Sequence, residues 1–288
     1  MLHFIYNPQA GNGRAERARQ IIELLLRDAP HAFHMTRDRN DATAIARQLT
    51  SGPEETDIVA MGGDGTLHEV LNGLRDPSRA RLGLIPCGSG NDFAAAAGIP
   101  TDPVRALGII RSGEAKPTDY LECAGVRGIN AIGTGIDVDI LRRYAAMKRL
   151  KGSAAYLASL ILTVLDYKPR RFSEITAEGA EPHEALIACA ANGKSFGGGI
   201  PIAPKAVIDD GLLDVVIIDG IRKIAIPGAF VRLMKRRVLE LRQTVFKQQT
   251  RLNVRADVPM PLQIDGEIYE NLPFDVRLIH GALRFYRP

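Results

Sequence analysis

The stretch from Ala60 to Val70, A-M-G-G-D-G-T-L-H-E-V, ends an apolar run and opens a helical one, and its joint is three glycines around a single aspartate. Glycines at 62, 63 and 65 clear the loop of side chains, so a polyphosphate can lie against backbone N–H groups where a helix begins. A carboxylate beside phosphate is repulsive unless a cation stands between them, and Mg²⁺ does this by bridging one or two carboxylates to phosphate oxygens. Asp64 is therefore expected to hold magnesium, directly or through a water. A local reading competes: Thr66 and Glu69 form the T-x-x-E pattern of a capping box, which explains those two residues and leaves the glycines unexplained.

Outward from this joint, the first 120 residues alternate short apolar runs with amphipathic ones. Strands are expected at Leu2–Tyr6, Ala32–Thr36, Asp57–Met61 and Leu82–Pro86. Helices are expected at about Arg14–Asp28, Asp41–Ser51, Thr66–Leu74, Asn91–Ala97 and Pro103–Ser112, before a strand at Thr118–Cys123. This is the grammar of a parallel sheet covered on both faces, which binds ligands at the carboxyl ends of its strands. Beyond residue 121 strand-like runs dominate, at 184–192, 212–219, 251–256 and 261–265, with two more after Pro273 joined by a turn at His280-Gly281. Helical insertions are expected near Lys151–Tyr167 and Lys223–Arg242. The expected architecture is an α/β domain over 1–120 and a mainly β domain, a sandwich, over 121–288, packed against the first.

Composition narrows the function. A length of 288 residues accommodates two domains, and 45% hydrophobic with 24% charged residues is globular. A net charge of +4 suits an anionic substrate or membrane surface and is too weak to argue for nucleic acid. Cys87, Cys123 and Cys189 suggest neither a disulfide framework nor a zinc site, so a reducing cytoplasm is expected. The N-terminal M-L-H-F-I-Y-N-P reads as a first strand and not as a leader. The most apolar helical stretch, Ala154–Leu165, is shorter than the roughly 18–20 residues of a membrane span. His68 stands in H-E-V-L-N, not in H-E-x-x-H, and no G-x-S-x-G is present, so hydrolase chemistry is not suggested.

Two further joints repeat the glycine logic. N-P-Q-A-G-N-G, Asn7 to Gly13, opens a helix with glycines at 11 and 13. It is no Walker loop, its G-x-G-x-x-G spacing fails at Glu16, and a plain turn with a helix cap also accounts for it. P-C-G-S-G-N-D, Pro86 to Asp92, adds a hydroxyl at Ser89 and a carboxylate at Asp92, which could equally form a cap. With Asp119 near the next strand, three acids at the carboxyl edge of one sheet suggest a metal-linked cluster.

Together with N-G-K-S-F-G-G-G-I-P-I-A-P-K-A-V-I-D-D-G-L-L-D-V (192–215) and D-G-E (265–267), these motifs resemble the soluble bacterial diacylglycerol kinase family, whose catalytic domain is shared with eukaryotic diacylglycerol, sphingosine and ceramide kinases. The resemblance implies a first domain like that of NAD kinases and phosphofructokinases, with ATP and Mg²⁺ as cofactors. Its nucleotide would lie in the active-site cleft between the two domains, contacted by Asn7, Gly11, Gly13, Thr36, Gly62, Gly63, Asp64, Gly65, Thr66, Glu69, Ser89 and Asn91. Ser89 stands where the family usually has threonine. Asp64, Asp92 and Asp119 would form an acid network around the catalytic Mg²⁺. A structural Mg²⁺ would sit on the Asp210 carboxylate and the carbonyls of Val207 and Leu212, although Asp210-Gly211 by itself reads as a hairpin turn. Glu267 would be the base that accepts the substrate hydroxyl proton, with Asp265 beside it.

The implied substrate is a lipid alcohol, diacylglycerol-like, met by transient peripheral contact with the inner face of the membrane. Basic and apolar residues mix at 142–151, 168–171 and 222–237, compatible with interfacial helices and equally with ordinary core-packed ones. The run S-A-A-Y-L-A-S-L-I-L-T-V-L is too apolar for a surface helix and suits core packing or the wall of an acyl-chain pocket. Two alternatives stand: a NAD kinase-like phosphotransferase on a soluble acceptor, and a non-catalytic lipid- or nucleotide-binding regulator. No nucleic-acid partner is expected, and the sequence leaves monomer and homodimer both open.

Overall fold

The computed structural model describes residues 1–147 and 153–288. The basic run at 148–151 and the expected start of the second-domain helix at Lys151 lie outside the described residues. Four strands, β1 (Leu2–Tyr6), β2 (His31–Met35), β3 (Thr56–Gly62) and β4 (Ala80–Pro86), form a parallel sheet in the order β2-β1-β3-β4. Phe4, Ile5, Ile58, Val59, Met61, Leu82 and Ile85 are completely buried, which is why these strands read as apolar runs and not as alternations. Helices α1 (Arg14–Leu25), α2 (Asp41–Leu49), α3 (Asp64–Gly73), α4 (Asp92–Ala96) and α5 (Pro103–Arg111) connect and cover them. α2 crosses α3 so closely that a Cβ on Gly73 would lie 2.4 Å from the Thr43 carbonyl oxygen.

β5 (Ala115–Cys123) and the final strand join the same sheet. The two runs after Pro273 are one strand, not two: His280-Gly281 is a bulge, at which the register against β5 shifts between Ile279 and Leu283. The cause is local: Asp119 accepts the N–H of Gly281 (2.7 Å) and contacts His280 Nδ1 (2.9 Å), holding the two extra residues inside the strand. The bulge lets one strand serve two cores. Val276 and Leu278 pack with Leu121 and Cys123 of β5 in one, while Leu283 and Phe285 pack with Ala115 and Tyr120 in the other. The division expected at residue 120 thus falls inside β5.

The chain then runs through β6 (Val126–Gly128), β7 (Ala131–Gly135), α6 (Ile136–Ala146), α7 (Ser153–Leu165), β8 (Arg170–Thr176), β9 (Gly179–Ala191), β10 (Leu213–Asp219), α8 (Ile226–Met234), β11 (Thr244–Gln249), β12 (Arg251–Arg255), β13 (Leu262–Ile264), β14 (Glu267–Tyr269) and β15 (Asp275–Tyr286). β9 is central to the second sheet, antiparallel to β7, β8 and β10. Its residues alternate between cores: Ala188 and Ala190 face β15, whereas Ile187, Cys189 and Ala191 face the helical side. β12 crosses from one sheet to the other, pairing first with β15 and then with β8. The expected sandwich is present. The helix expected at Lys223–Arg242 is shorter, because Arg236 turns left-handed (φ 60°) just past α8. Cys87, Cys123 and Cys189 are buried free thiols, and among the described residues no helix is long and apolar enough to cross a membrane.

Phe285 seals the first core from the last strand: it and Phe93 are completely buried, edge to face with centroids 4.8 Å apart. Phe285→Ala is expected to cost about 3–5 kcal/mol in urea unfolding followed by far-UV circular dichroism. A loss below about 1 kcal/mol would refute this account of how the last strand closes the fold.

Candidate active site

Four loops at the carboxyl ends of the parallel strands build the site, and glycines let them touch. Gly11 (φ 61°) follows β1, and a Cβ there would fall 1.9 Å from the Cys87 carbonyl oxygen. Gly63 after β3 lies against Gly88 after β4, where a Cβ on Gly88 would sit 2.3 Å from the Gly63 Cα. Arg14 fastens the first loop to the fourth by donating to the Gly11 (3.1 Å) and Gly88 (2.6 Å) carbonyls. The result is a cleft of about 630 Å³ whose walls include Asn7, Gly11, Thr36, Gly63, Gly65, Thr66 and Glu69, with Glu267 of β14 facing them from the second sheet. Arg37 and Arg39 also line it, and Arg39 reaches across to pair with Glu267.

Behind Gly63 and Gly65, which line both spaces, lies an acidic chamber of about 390 Å³ walled by Asp64, Ser89, Asp92, Asn130, Asp265 and the glycines 197 and 198. Asp64 accepts the Phe93 N–H at 3.2 Å. Burial first, and the charge of Asp92 second, push its carboxyl above the ordinary range, against the opposing pull of the Phe93 and Asp92 amides. Asp92 accepts from Ser195 Oγ (2.9 Å) and from the N–H groups of Gly198 and Gly199 (both 2.7 Å). Asp265 is more fully engaged: it accepts the amides of Ile129 (2.8 Å), Asn130 (2.8 Å) and Ala131 (3.1 Å), and His68 Nδ1 lies 3.3 Å away. Asn130 Oδ1 is buried without a partner. Carboxylates with an orphaned amide oxygen are an all-oxygen set, which fits a hard divalent cation such as Mg²⁺.

A third cavity of about 480 Å³ adjoins the chamber, and Phe196 and Gly197 line both. Its wall is almost wholly apolar, drawn from Ile140, Leu160, Val164, Leu186, Ile200 and Phe230 among others. Among the described residues one charged group interrupts it. Asp137, in the first turn of α6, lines the cavity with neither oxygen in a hydrogen bond of ordinary geometry. Burial pushes its carboxyl up to about 7, although the nearby Val138 and Asp137 amides favour the charged form.

Most of the sequence-derived residues meet here, with several in different roles. Gly13 (φ 82°) caps α1 and does not line the cleft. The Gly62 carbonyl accepts the Cys87 and Gly88 amides. Asn91 staples its own loop, exchanging hydrogen bonds with Gly88 at 2.9 Å. Neither capping reading is realised: α3 starts at Asp64 with Gly63 as its cap, and α4 starts at Asp92 with Asn91 as its cap, both without a side-chain cap bond. Glu69 instead accepts the Ala42 amide at 3.3 Å.

Asp119 does not line the acidic chamber. Its completely buried carboxylate is taken up by Gly211, His280 and Gly281. Asp210-Gly211 is not a tight hairpin turn, because β9 and β10 are separated by residues 192–212. In that loop Asp210 is exposed and accepts the Leu212 amide (3.0 Å), and Val207 is also exposed. Close by, Asp214 is raised by burial and by the charge of Asp210, and its Oδ2 is buried without a partner, which fits a second cation. Asn130, Asp137 and Asp214 were not singled out from sequence. A buried acid has no signature of its own in a primary sequence.

Residues 1–123 match the diacylglycerol kinase catalytic domain, and residues 130–287 match the YegS C-terminal NAD kinase beta sandwich-like domain. A Xanthomonas campestris protein named "Probable lipid kinase YegS-like" is 33% identical over 275 residues, covering 88% of this chain and 85% of its own. A diacylglycerol kinase structure from Bacillus anthracis superposes with a TM-score of 0.73 at 20% identity, covering 100% of this chain and 96% of that one. An Archaeoglobus fulgidus NAD kinase in complex with ATP does so at 0.53 and 12% identity, covering 100% and 94%, and shares the fold.

Because the folded-state pKa of Asp64 is raised, its ionised form costs stability that grows as pH rises above the ordinary carboxylate range and is relieved as pH falls. In divalent-free buffer at neutral pH, Asp64→Asn is expected to raise Tm by a few degrees, with the gap closing toward acid. Mg²⁺ is expected to stabilise the wild type and not the variant. A less stable variant, or an undiminished Mg²⁺ response in it, would contradict the assignment.

Proposed function

The chain belongs to the YegS-like lipid kinase family, and from that premise we propose that it transfers the γ-phosphate of ATP to the hydroxyl of a diacylglycerol-like lipid, giving ADP and a lipid phosphate. One observation carries this reading: a cleft lined by glycine loops and two arginines, an acidic chamber and an apolar cavity lie in series, each sharing residues with the next. A water-soluble acceptor would have no use for the third space.

In this reading the backbone amides around Gly11, Gly63 and Gly65, with Thr66, Arg37 and Arg39, hold the triphosphate. Mg²⁺ bound at Asp64 and Asp92 would neutralise phosphate oxygens; a second Mg²⁺ on Asp210, Asp214 and the carbonyls of Val207 and Leu212 would brace the second domain. Glu267 accepts the proton of the attacking hydroxyl, which leaves the lipid oxygen free to bond to phosphorus as the bond to the leaving ADP oxygen breaks. Arg39, paired with Glu267 in the structure, is drawn to the arriving phosphates and releases it. Asp265 acts indirectly: with both oxygens engaged, it positions the turn that carries Glu267.

Acyl chains fill the apolar cavity, and protonated Asp137 donates a hydrogen bond to an oxygen of the lipid's polar end. The cavity wall continues to the surface at Ile161 (52% exposed), Leu165 (65%) and Val231 (51%), near Lys223, which donates to the Leu165 carbonyl. Apolar side chains beside cations suit brief contact with the inner face of a membrane by a cytoplasmic protein.

Incubation with γ-labelled ATP, Mg²⁺ and total lipid extract in mixed micelles is expected to label one lipid, and Glu267→Gln to lower kcat about 100-fold or more with ATP binding retained. Wild-type turnover in that variant would remove Glu267 as the base, and no label in any lipid would remove the lipid acceptor. The neutral, donating form of Asp137 is lost as pH rises through about 7, so KM for the lipid should climb between slightly acid and slightly alkaline pH. Asp137→Asn, which donates at any pH, should flatten that profile; an unchanged profile would dismiss the contact.

A further inference from the structure

α3 carries a polar stripe. Asp64, His68 and Asn72 stand four residues apart and so share one face of the helix. All three meet the second domain. Asp64 lines the acidic chamber with Asp265, and His68 contacts Asp265 and Tyr269. Asn72 donates to the Arg127 carbonyl and accepts the Arg127 amide, both at 2.8 Å. Asp64 has a cation to hold and Asn72 a strand. His68 is an ionisable ring only 4% exposed between the domains, and phosphoryl transfer gives it no proton to move.

The ring is gripped at both nitrogens. Asp265 accepts three backbone amides, so its oxygen 3.3 Å from Nδ1 is an acceptor and Nδ1 carries the proton. In the neutral ring Nε2 then accepts the Tyr269 hydroxyl at 3.1 Å, with the Asn72 side-chain nitrogen 3.5 Å away. Asp265 and Tyr269 bracket Glu267, two residues to either side. That segment has few other holds. β14 is three residues long, pairs with β13 at the edge of its sheet, and is entered through left-handed backbone at Asp265 (φ 50°) and Gly266 (φ 90°). Residues 267 and 269 share a face of β14 by alternation, so holding Tyr269 against α3 turns Glu267 toward the first domain, where Arg39 meets it. Slipping β14 by one residue would turn Glu267 to the other face.

We infer that His68 is a positioning residue for phosphoryl transfer, fixing Glu267 relative to the cation site by gripping the residues on either side of it. The inference rests on the kinase reading for the roles of Asp64 and Glu267, and on geometry alone for the grip. About one helical turn separates Asp64 from His68, so one rigid element places both the cation and the base. His68 reaches the reacting atoms only through that placement, so its loss lowers kcat and spares the affinity for ATP and lipid.

His68→Phe removes both contacts, Tyr269→Phe removes one hydroxyl without disturbing packing, and His68→Asn keeps a donor near the position of Nδ1. Kinetics on mixed micelles are to be combined with hydrogen–deuterium exchange of the full chain. His68→Phe is expected to lower kcat about 30-fold and Tyr269→Phe about five-fold, with both KM values within about two-fold of wild type. His68→Asn should recover part of the loss. Amides at 265–269 should exchange faster in His68→Phe while those of β3 and β4 do not. Unchanged kcat in His68→Phe and Tyr269→Phe, equal losses in His68→Phe and His68→Asn, or unchanged exchange at 265–269 would overturn the role. A wild type that labels no lipid would sink the kinase reading instead, and the exchange rates would still decide whether His68 holds the turn.

Discussion

A carboxylate taken out of water must find donors, and three aspartates at the junction of the two domains find theirs across it. Asp92, at the start of α4, takes the amides of Gly198 and Gly199 from the second domain. Asp265, on the β13–β14 turn, takes three consecutive amides at 129–131 and contacts His68 of α3. Asp119 joins β5 to the β15 bulge and to the loop before β10. An uncompensated buried charge is strongly destabilising, so each carboxylate holds the domains in one register as firmly as its own burial demands. The walls of the cleft are set by acids whose own hydrogen-bonding capacity is already largely used.

Glycine supplies the other half of that register. Gly63 touches Gly88 within the first domain, and Gly90 approaches Gly198 of the second so closely that a Cβ would lie 3.0 Å from its Cα. Side chains at these points would part the loops and separate the glycine-lined cleft from the acidic chamber. The clustering of glycine in G-G-D-G, G-S-G and G-G-G is therefore a steric requirement of three loops meeting, beyond any role in approaching phosphate.

The first domain was legible because two-sided burial writes its strands as apolar runs and because its joints carry their chemistry in glycine and acid. Where sequence reading went astray, a local rule met a tertiary fact. Thr66 and Glu69 have capping-box spacing, yet α3 begins two residues earlier at Asp64 and Glu69 serves α2 instead. His280-Gly281 carries a turn signal that Asp119 converts into a bulge. In G-I-D-V-D-I two acids open a helix, where acids commonly favour the dipole, and nothing local distinguishes Asp137, in the cavity wall, from Asp139, paired with Arg170.

Asp64 and Asp137 both have carboxyls pushed above the ordinary range, and the same functional group is left with opposite needs. Around Asp64 the unfavourable term includes another carboxylate, which a cation relieves at once for both. Around Asp137 it is hydrocarbon, where a cation would be as poorly solvated as the carboxylate and a proton is the cheaper remedy. Among the described residues the two linings share Phe196 and Gly197, so charge gathers on one side of that pair and apolar surface on the other. A substrate matched to both sides has a long apolar body and a short polar end. In the kinase reading, that polar end meets Glu267 and phosphate only after the rest of the molecule has displaced water from the cavity behind it.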